Sequence, residues 1–446
     1  MRDDFMNLGL FILPAGHHLS AWRLPEQTAE ATDFEHIARI ARTAEAAKLD
    51  ALFLADVDGS WGSRWETMAR DPGTMFLEPL TLLSALAAIT SRIGLIGSAS
   101  TTYNEPYHLA RKFASLDHIS HGRAAWNIVT SFMPHNAANF GIERYPDHEE
   151  RYRAADEYMS VVKGLWDSWG DGAVVRDKVT GQYLDLGKLK ILDHKGPYFT
   201  SKGPLTMPRS PQGHPVLVQA GSSEDGREFA SSHAEVIFTV QSVIEEAKSF
   251  YADMARRIEA KGRPPGSVKI MPGAFVVVGS TYDEAFERFE RMQAFVEPEA
   301  GLAQLQNYGF AIDIEAHGWD APFPELPETQ GQQGRREIVM AMARREKLTV
   351  RQLCRRIAVT RGHHFIIGDG RQVADALEQW FVERAADGFN LMLPSFPDSL
   401  DSFVEHVLPE LRRRKLFRSE YEGRTLRDHL GLARPALREP ALARAE

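Results

Sequence analysis

Two adjacent hydroxyls at the entry to a helix are the first sign of chemistry in this chain. In VLVQAGSSEDGREFA, residues 216–230, a short apolar strand breaks at Gly221 and passes through Ser222 and Ser223 into a helical pattern. Backbone N–H groups at such a helix start, joined by two hydroxyls, make a cradle suited to a phosphate. The competing reading is that Ser222 caps the helix beside Asp225 in a capping-box-like arrangement. His148 and Tyr152 stand four apart at the start of another predicted helix, so both project from one face beside the positive end of its dipole. A phosphate between Tyr152 and Ser223 would need no lysine, with Arg151 and Arg227 as rival ligands. The competing reading here is that His148 caps its helix and Tyr152 packs on a neighbour.

Histidines are the candidates for proton transfer. His17 and His18 are adjacent, so in extended chain they point to opposite faces and at most one enters a shared site. His363 and His364 share that limitation, while His135 and His317 fall in predicted loops. The sequence has no H-x-H, HExxH or cysteine pair, so no metal is expected. Its single cysteine, Cys354, lies in the helical pattern LTVRQLCRRIAV, where a buried structural thiol is expected and no intramolecular disulfide can form.

The elements that must position these groups follow one rhythm. Apolar strand-like runs at 6–13, 51–54, 93–98, 124–129, 216–219, 236–239, 273–278 and 389–393 alternate with segments of helical period. The helical segments include 33–48, 78–88, 107–120, 149–166, 283–295, 373–386 and 400–413. Eight such strands predict an α/β chain closed into a (β/α)8 TIM barrel rather than an open sheet. The Gly-, Pro- and Lys-containing stretch 170–214 is too long for a βα loop and predicts an excursion of small strands or turns. Residues 300–361, with PFPELPETQGQQG and a basic helix predicted over 335–347, form a candidate lid over the barrel mouth. One domain over 1–432 is expected, followed by an Ala-, Arg- and Pro-rich tail, 433–446, that offers little to pack.

In a parallel barrel the mouth is lined by the residues just beyond the C-terminal end of each strand. Those residues are His17 and His18, Asp56, the run Ser100 to Tyr103, Asn127, Thr130 and Ser131, then Ser222 and Ser223. Hydroxyls and amides outnumber charges. That palette suits a neutral heteroaromatic ring with one phosphate better than it suits a metal ion.

The 446 residues, 43% hydrophobic, suffice for a large core. A formal charge of -9 and a pI near 6.0 argue against nucleic acid as the main partner. The acidic start and short apolar run of MRDDFMNLGLFIL do not fit a signal peptide, and no run reaches the roughly 18 apolar residues of a membrane helix. A cytoplasmic protein with no membrane partner is expected.

Longer motifs add a resemblance. GHHLSAWRLPE at 16–26, STTYNEPYHLARKFASLDHISHGRAAWNIVTS at 100–131, NFG at 139–141, HEERYRAADEYMSVVKGLWDSW at 148–169, HKGPYF at 194–199, the Gly-Ser-Ser run, and LPELRRRKLFRSEYEGRTLRDHLGL at 408–432 cover most of the chain in order. Together they resemble the nitrilotriacetate monooxygenase component A family, a branch of the bacterial-luciferase-like flavin monooxygenases. The resemblance implies a luciferase-like (β/α)8 barrel that receives reduced FMN from a separate NAD(P)H:flavin reductase. With O2 it would oxygenate a small organic substrate, with possible cleavage of a C–N or C–S bond. By position, Asp56, Thr102 in preference to Thr101, His148, Tyr152 and Ser223 match the family's flavin-binding pattern, and Ser222 and Asn127 stand beside them as further cofactor residues. Such chemistry needs a dry, covered site and a positioned acid or base, for which His17 is the first choice with His18 and His135 behind it. SFMPHNAANFG departs from the small-residue and acidic run expected before NFG, which leaves the substrate open. A homodimer or homotetramer is expected. The alternatives are a deazaflavin-dependent oxidoreductase of the same fold and a non-catalytic flavin-binding barrel.

Overall fold

The computed structural model describes residues 4–60, 65–69, 71–131, 133–326 and 333–437. Its strands are β1 (Asn7–Phe11), β2 (Ala51–Leu54), β3 (Gly94–Ser100), β4 (Ala124–Val129), β5 (His194–Lys195), β6 (Thr200–Ser201), β7 (Val216–Gln219), β8 (Val236–Thr239), β9 (Lys269–Gly279), β10 (His364–Asp369) and β11 (Gly388–Met392). Eight of them, in the order β1-β2-β3-β4-β7-β8-β9-β11, pair in parallel, and β11 returns to β1 to close the barrel. The eight expected strands are therefore all present.

A further parallel strand, β10, goes beyond the expected eight, and it changes the seventh unit. β9 forks: residues 269–272 pair with β8 and 273–275 with β11, while 274–279 carry β10 outside the barrel. β10 is only partly buried and shows no clean alternation, so its sequence gives little strand signal.

Period-two alternation sorts side chains into two layers. On β4, Trp126 and Ile128 face the shell between strands and helices, while Ala125 and Asn127 face the barrel interior. β2 divides the same way, with Leu52 and Leu54 outward and Ala51 and Phe53 inward. Each fully buried Leu or Phe contributes about 1.5–3 kcal/mol, so a one-residue slip of either strand would exchange both layers at once. The buried Trp126 indole keeps its donor satisfied by the Ala99 carbonyl at 3.0 Å.

The helices begin where polar residues can cap them. Asp33, Asp147, Thr281 and Asp369 each accept a hydrogen bond from the backbone N–H three residues on. The excursion at 170–214 contains the antiparallel β5-β6 hairpin and the isolated bridges Val174 to Leu184 and Ser210 to Gly213, and Leu189 bridges back to Trp169. The stretch 300–361 is helical, with Pro298–Asn307, Ile314–His317, Gln333–Glu346 and Val350–Thr360 gathered on their own core of Leu305, Phe310, Val339, Met342, Leu353 and Ile357. Cys354 is buried in that core, and burial pushes its thiol up to about 12, the inert structural role expected of it. Part of the Pro-rich run there, 327–332, lies outside the described residues.

The run 408–432 fastens the barrel at the end opposite the mouth. Arg418 meets the buried Asp50 carboxylate at 2.6 Å, and the Leu8 backbone N–H donates to the same carboxylate at 2.6 Å. Arg427 grips Glu235 with two bonds of 2.6 and 2.8 Å. The tail expected to be loose from 433 is docked at its start, because Arg434 pairs with Asp171 at 2.7 Å and Arg209 donates to the Pro435 carbonyl at 2.5 Å. Residues 438–446 lie outside the described residues. Among those described, no helix is long and apolar enough to cross a membrane.

Candidate active site

A cavity opens at the C-terminal ends of the barrel strands, and its two walls differ in chemistry. One wall is aromatic: Phe11, Phe53 and Phe238 lie with ring centroids 4.9, 5.5 and 5.9 Å apart, and His363 stacks on Phe238 at 5.4 Å. Ala55 and Met392 complete that side. The opposite wall is polar, with Ser98, Asn127, Thr130, Ser131, Tyr152, Gln219, Ser222 and Ser223. Ser98 and Asn127 are register partners on β3 and β4, which brings the Asn127 amide within 2.7 Å of the serine hydroxyl. That bond uses the amide nitrogen and leaves Asn127 Oδ1 buried without a protein partner; Gln219 Oε1 is in the same position. An unsatisfied buried acceptor costs about 1–3 kcal/mol, so the polar wall is built for a guest that carries donors.

At one end of this wall the strand β7 turns into the helix Glu224–His233. Ser223, not Ser222, is the helix cap, and its Oγ accepts from the Gly226 N–H at 3.2 Å. Both serines still line the cavity. The Tyr152 hydroxyl comes within interaction range of the Ser223 and Thr130 hydroxyls, and burial raises its pKa so that it remains a phenol donor. Gly221 keeps the space open, since a Cβ there would stand 2.3 Å from Gln219 Nε2 and 3.0 Å from the Tyr152 oxygen. The acidic first turn does not repel an anion unopposed: Glu224 is held by Arg257 at 2.8 and 3.0 Å, and Asp225 by His148 Nδ1 at 2.8 Å. His148 does not cap its helix, because Asp147 does. Of the rival cations, Arg151 lines the cavity while donating to the Pro146 carbonyl at 2.7 Å, and Arg227 turns to Asp253 at 3.3 Å.

The structure thus brings Asp56, Asn127, His148, Tyr152, Ser222 and Ser223 to one cavity. Asp56 Oδ1 accepts from the backbone N–H groups of Val57 and Asp58 at 2.7 and 3.1 Å, while burial raises its pKa. Thr102 stands behind the wall, where its hydroxyl donates to the Thr130 carbonyl at 2.7 Å. Thr101 does the same for the Val129 carbonyl at 3.4 Å.

The three candidate histidines part company. His17 is fully buried behind Phe11, with ring centroids 4.5 Å apart, and its Nε2 lies 2.9 Å from the Phe11 carbonyl. Burial first, then the Arg361 charge, lower its pKa to about 3, against a smaller opposing effect of the Phe11 carbonyl. His17 is therefore neutral, with Nε2 as donor and Nδ1 left without a partner. His18 is buried too and lowered to about 4 by burial, with Nδ1 accepting from the Ser20 N–H at 3.2 Å. His135 is exposed on a 3-10 turn, with its Nε2 3.1 Å from the Ser60 carbonyl.

Several cavity residues carried no signal in the sequence. Phe11, Phe53 and Phe238 look like ordinary core positions, and only barrel closure brings them together. Gln304, Tyr308, Arg335 and Arg361 come from the helical insertion, and His363 lies just past it. Among the described residues, no group of three His, Cys, Asp or Glu is placed to hold a metal ion.

The model of a family described as luciferase-like monooxygenase matches residues 6–388. Nitrilotriacetate monooxygenase component A of Aminobacter aminovorans is 48% identical over 440 residues, covering 96% of this chain and 97% of that protein. N-acetyl-S-(2-succino)cysteine monooxygenase of Bacillus subtilis (strain 168) is 44% identical over 439 residues, covering 97% and 98%. The crystal structure of riboflavin lyase with modified FMN and substrate riboflavin superposes with a TM-score of 0.87 at 33% identity, covering 98% of each chain.

Proposed function

This chain belongs to the luciferase-like monooxygenases, a family of flavin-dependent oxidoreductases, and from that premise we propose that it binds FMN in the mouth cavity, takes it reduced from a separate flavin reductase, and uses O2 to oxygenate a small organic substrate. The observation that carries the reading is the division of the cavity into an aromatic wall and a polar wall that ends at a helix start. A planar ring with one polar edge and a phosphate tail has the same division. The orphaned Asn127 and Gln219 acceptors fit the donors of such a ring, and the space kept by Gly221 fits the tail. When bound, reduced FMN would supply the electrons that activate dioxygen.

The chain's own groups would do the rest. Tyr152, Ser222, Ser223 and the first-turn N–H groups hold the phosphate, with His148 beside them. Asn127, Gln219 and Asp56 orient the ring edge. The insertion, through Gln304 and Tyr308, covers the mouth and keeps water from the reacting atoms. His17, buried behind Phe11 with Nδ1 unpartnered, would act from behind the aromatic wall as a neutral proton acceptor. The two named relatives act on molecules with a C–N or a C–S bond, and cleavage of a bond of that kind is the outcome proposed here.

The phosphate cradle is tested by binding. Tyr152→Phe and Ser223→Ala should each weaken reduced FMN by about 1–2 kcal/mol, the scale of a hydrogen bond to a charged group. Riboflavin, which lacks the phosphate, should bind both variants as it binds the parent protein. Unchanged FMN affinity in both variants would remove the cradle from this account. Oxygenated product from protein, FMN, NADH and a flavin reductase tests the activity itself.

A further inference from the structure

Among the described residues two imidazoles line the mouth cavity, His148 beside the helix start and His363 on the aromatic wall. His148 is bonded to Asp225, whereas His363 Nδ1 is buried without a hydrogen-bond partner. The backbone aims His363 inward. The helix Val350–Thr360 is followed by two left-handed residues, Arg361 with φ +50° and Gly362 with φ +84°, and the His363 N–H donates back to the Thr360 carbonyl at 2.9 Å. The strand period then splits the adjacent pair: His363 enters the cavity, and His364 stacks on Trp380 of the outer layer with ring centroids 4.2 Å apart. A glycine makes the room. A Cβ at Gly273 would stand 2.3 Å from His363 Nδ1 and 2.9 Å from Met392 Sδ.

His363 and His17 stand at the two ends of one run of rings. His363 lies nearly parallel to Phe238 at 5.4 Å, Phe238 meets Phe11 edge-on at 5.9 Å, and Phe11 meets His17 edge-on at 4.5 Å. The two imidazoles are 2% and 0% exposed, and each has an unpartnered Nδ1, a cost that packing alone does not explain. They also share a field: the Arg361 charge acts on both rings, and a charge on His17 acts on His363. Burial, Arg335, His17 and Arg361, in that order, hold His363 well below ordinary imidazole basicity, against the Gly273 carbonyl. β8 and β11 present only Phe238 and Met392 to this side of the cavity. A ring so placed does not keep a proton. It can still pass one, because a neutral imidazole accepts at one nitrogen and releases from the other.

We propose that His363 is the cavity-facing half of an imidazole pair, and that it relays to His17 the proton given up by a molecule bound in the cavity. The proton enters at one ring nitrogen of His363 while the proton on the other leaves toward His17 Nδ1. His363 ends neutral in its other tautomer. His17 ends protonated on both nitrogens, with Nε2 still donating to the Phe11 carbonyl. The proposal rests on the reading of His17 as the proton acceptor, and it supplies the path that a ring buried behind Phe11 needs.

Coupled product and hydrogen peroxide are measured in the parent protein, His17→Phe, His363→Phe, His363→Asn and the double variant His17→Phe/His363→Phe. Each single variant should lose about 10²- to 10⁴-fold in coupled product with reduced FMN affinity unchanged. The double variant should be no worse than the poorer single, since two members of one path fail together. In His363→Ala, added imidazole should restore coupling through the open cavity, and furan, a ring of similar size without a basic nitrogen, should not. Normal coupling in His363→Phe and His363→Asn, or in His17→Phe, would overturn the relay. So would a double variant that loses the product of the two single factors, or rescue by furan as well as imidazole, which would make His363 a packing residue. A second readout needs no flavin: in protein with ¹⁵N-labelled histidine, the ring nitrogens of His363 should report a neutral ring whose tautomer balance changes in His17→Phe. A charged His363, or a balance unmoved by that substitution, would overturn the pair. If the parent released only peroxide with every substrate offered, the oxygenase reading would fail, and the labelled flavin-free protein would still decide whether the two imidazoles are linked.

Discussion

His17→Phe should cut coupled product formation by about 10²- to 10⁴-fold while leaving the affinity for reduced FMN unchanged. The phenyl ring keeps the edge contact with Phe11 at 4.5 Å, so packing behind the aromatic wall is conserved. What it removes is the unpartnered Nδ1 and the bond from Nε2 to the Phe11 carbonyl. The phosphate cradle lies on β7 and the helix that starts at His148, away from β1, which is why flavin binding should survive. Electrons drawn from reduced FMN would then appear as hydrogen peroxide, read by a peroxidase assay beside product formation. With its pKa near 3, His17 should put no break in the pH–rate profile between about pH 5 and 8. Normal coupling in His17→Phe, with coupling lost in His18→Phe or His135→Phe, would move the role to that residue. Normal coupling in all three would assign it to hydroxyls of the polar wall such as Ser131.

Acidification from pH 6.5 to 5 should lower the unfolding free energy by about 2–4 kcal/mol. The folded state holds His17 near 3 and His18, His364 and His429 near 4, with His363 also well below its ordinary value, all chiefly through burial. In the unfolded chain each titrates near 6.5, so below that pH the unfolded state binds more protons and stability falls. The contribution is complete above pH 6.5 and is lost as pH drops toward the folded values, by about 1.4 kcal/mol per unit for each histidine. Buried carboxylates act with the opposite sign: Asp58, raised to about 7, takes up its proton first in the folded state, and Asp50, Asp56 and Asp117 are raised as well. Their opposition is why the expected net loss is smaller than the histidine sum. Urea denaturation at the two pH values measures the difference, and His17→Phe should reduce the slope by about one proton. Stability that stayed flat or rose on acidification would show that these imidazoles are not buried neutral in solution.

The barrel was legible because apolar runs such as Ala51 to Leu54 and Ala124 to Val129 alternate with segments of helical period, and repeating that unit eight times leaves few topologies. β10 escaped because a strand outside the barrel, partly covered on both sides, has neither a clean alternation nor a continuous apolar run. At the site, local features were readable. Ser222 and Ser223 sit in sequence where a strand becomes a helix, and His148 and Tyr152 share a helix face by spacing alone. Which serine caps was not readable, since both can, and backbone geometry at the turn chose Ser223. Thr102, expected among the cofactor residues, stands instead behind the polar wall, where its hydroxyl donates to the Thr130 carbonyl. Arg335, Arg361 and His363 reach the cavity only through the packing of the insertion, and no pattern within their own segments marks them.

The forked strand β9 has an evolutionary consequence. The helical insertion leaves the barrel after β9 and its helix and returns through β10, which is paired to β9 over residues 274–279. Both ends of the excursion are thus clamped to one strand, and the eight-stranded ring closes through β8 and β11 whatever lies between them. Lengthening or replacing the enclosed segment alters the cost of closing that loop only logarithmically, by about 0.6 kcal/mol per doubling. Inheritance can therefore act on the two halves of the cavity at different rates, with β3, β4 and β7 kept constant while the segment carrying Arg335 and Arg361 is exchanged as a cassette. Grafting that cassette between relatives at the β9–β10 clamp is the natural recombination point for redirecting such a scaffold to a new molecule.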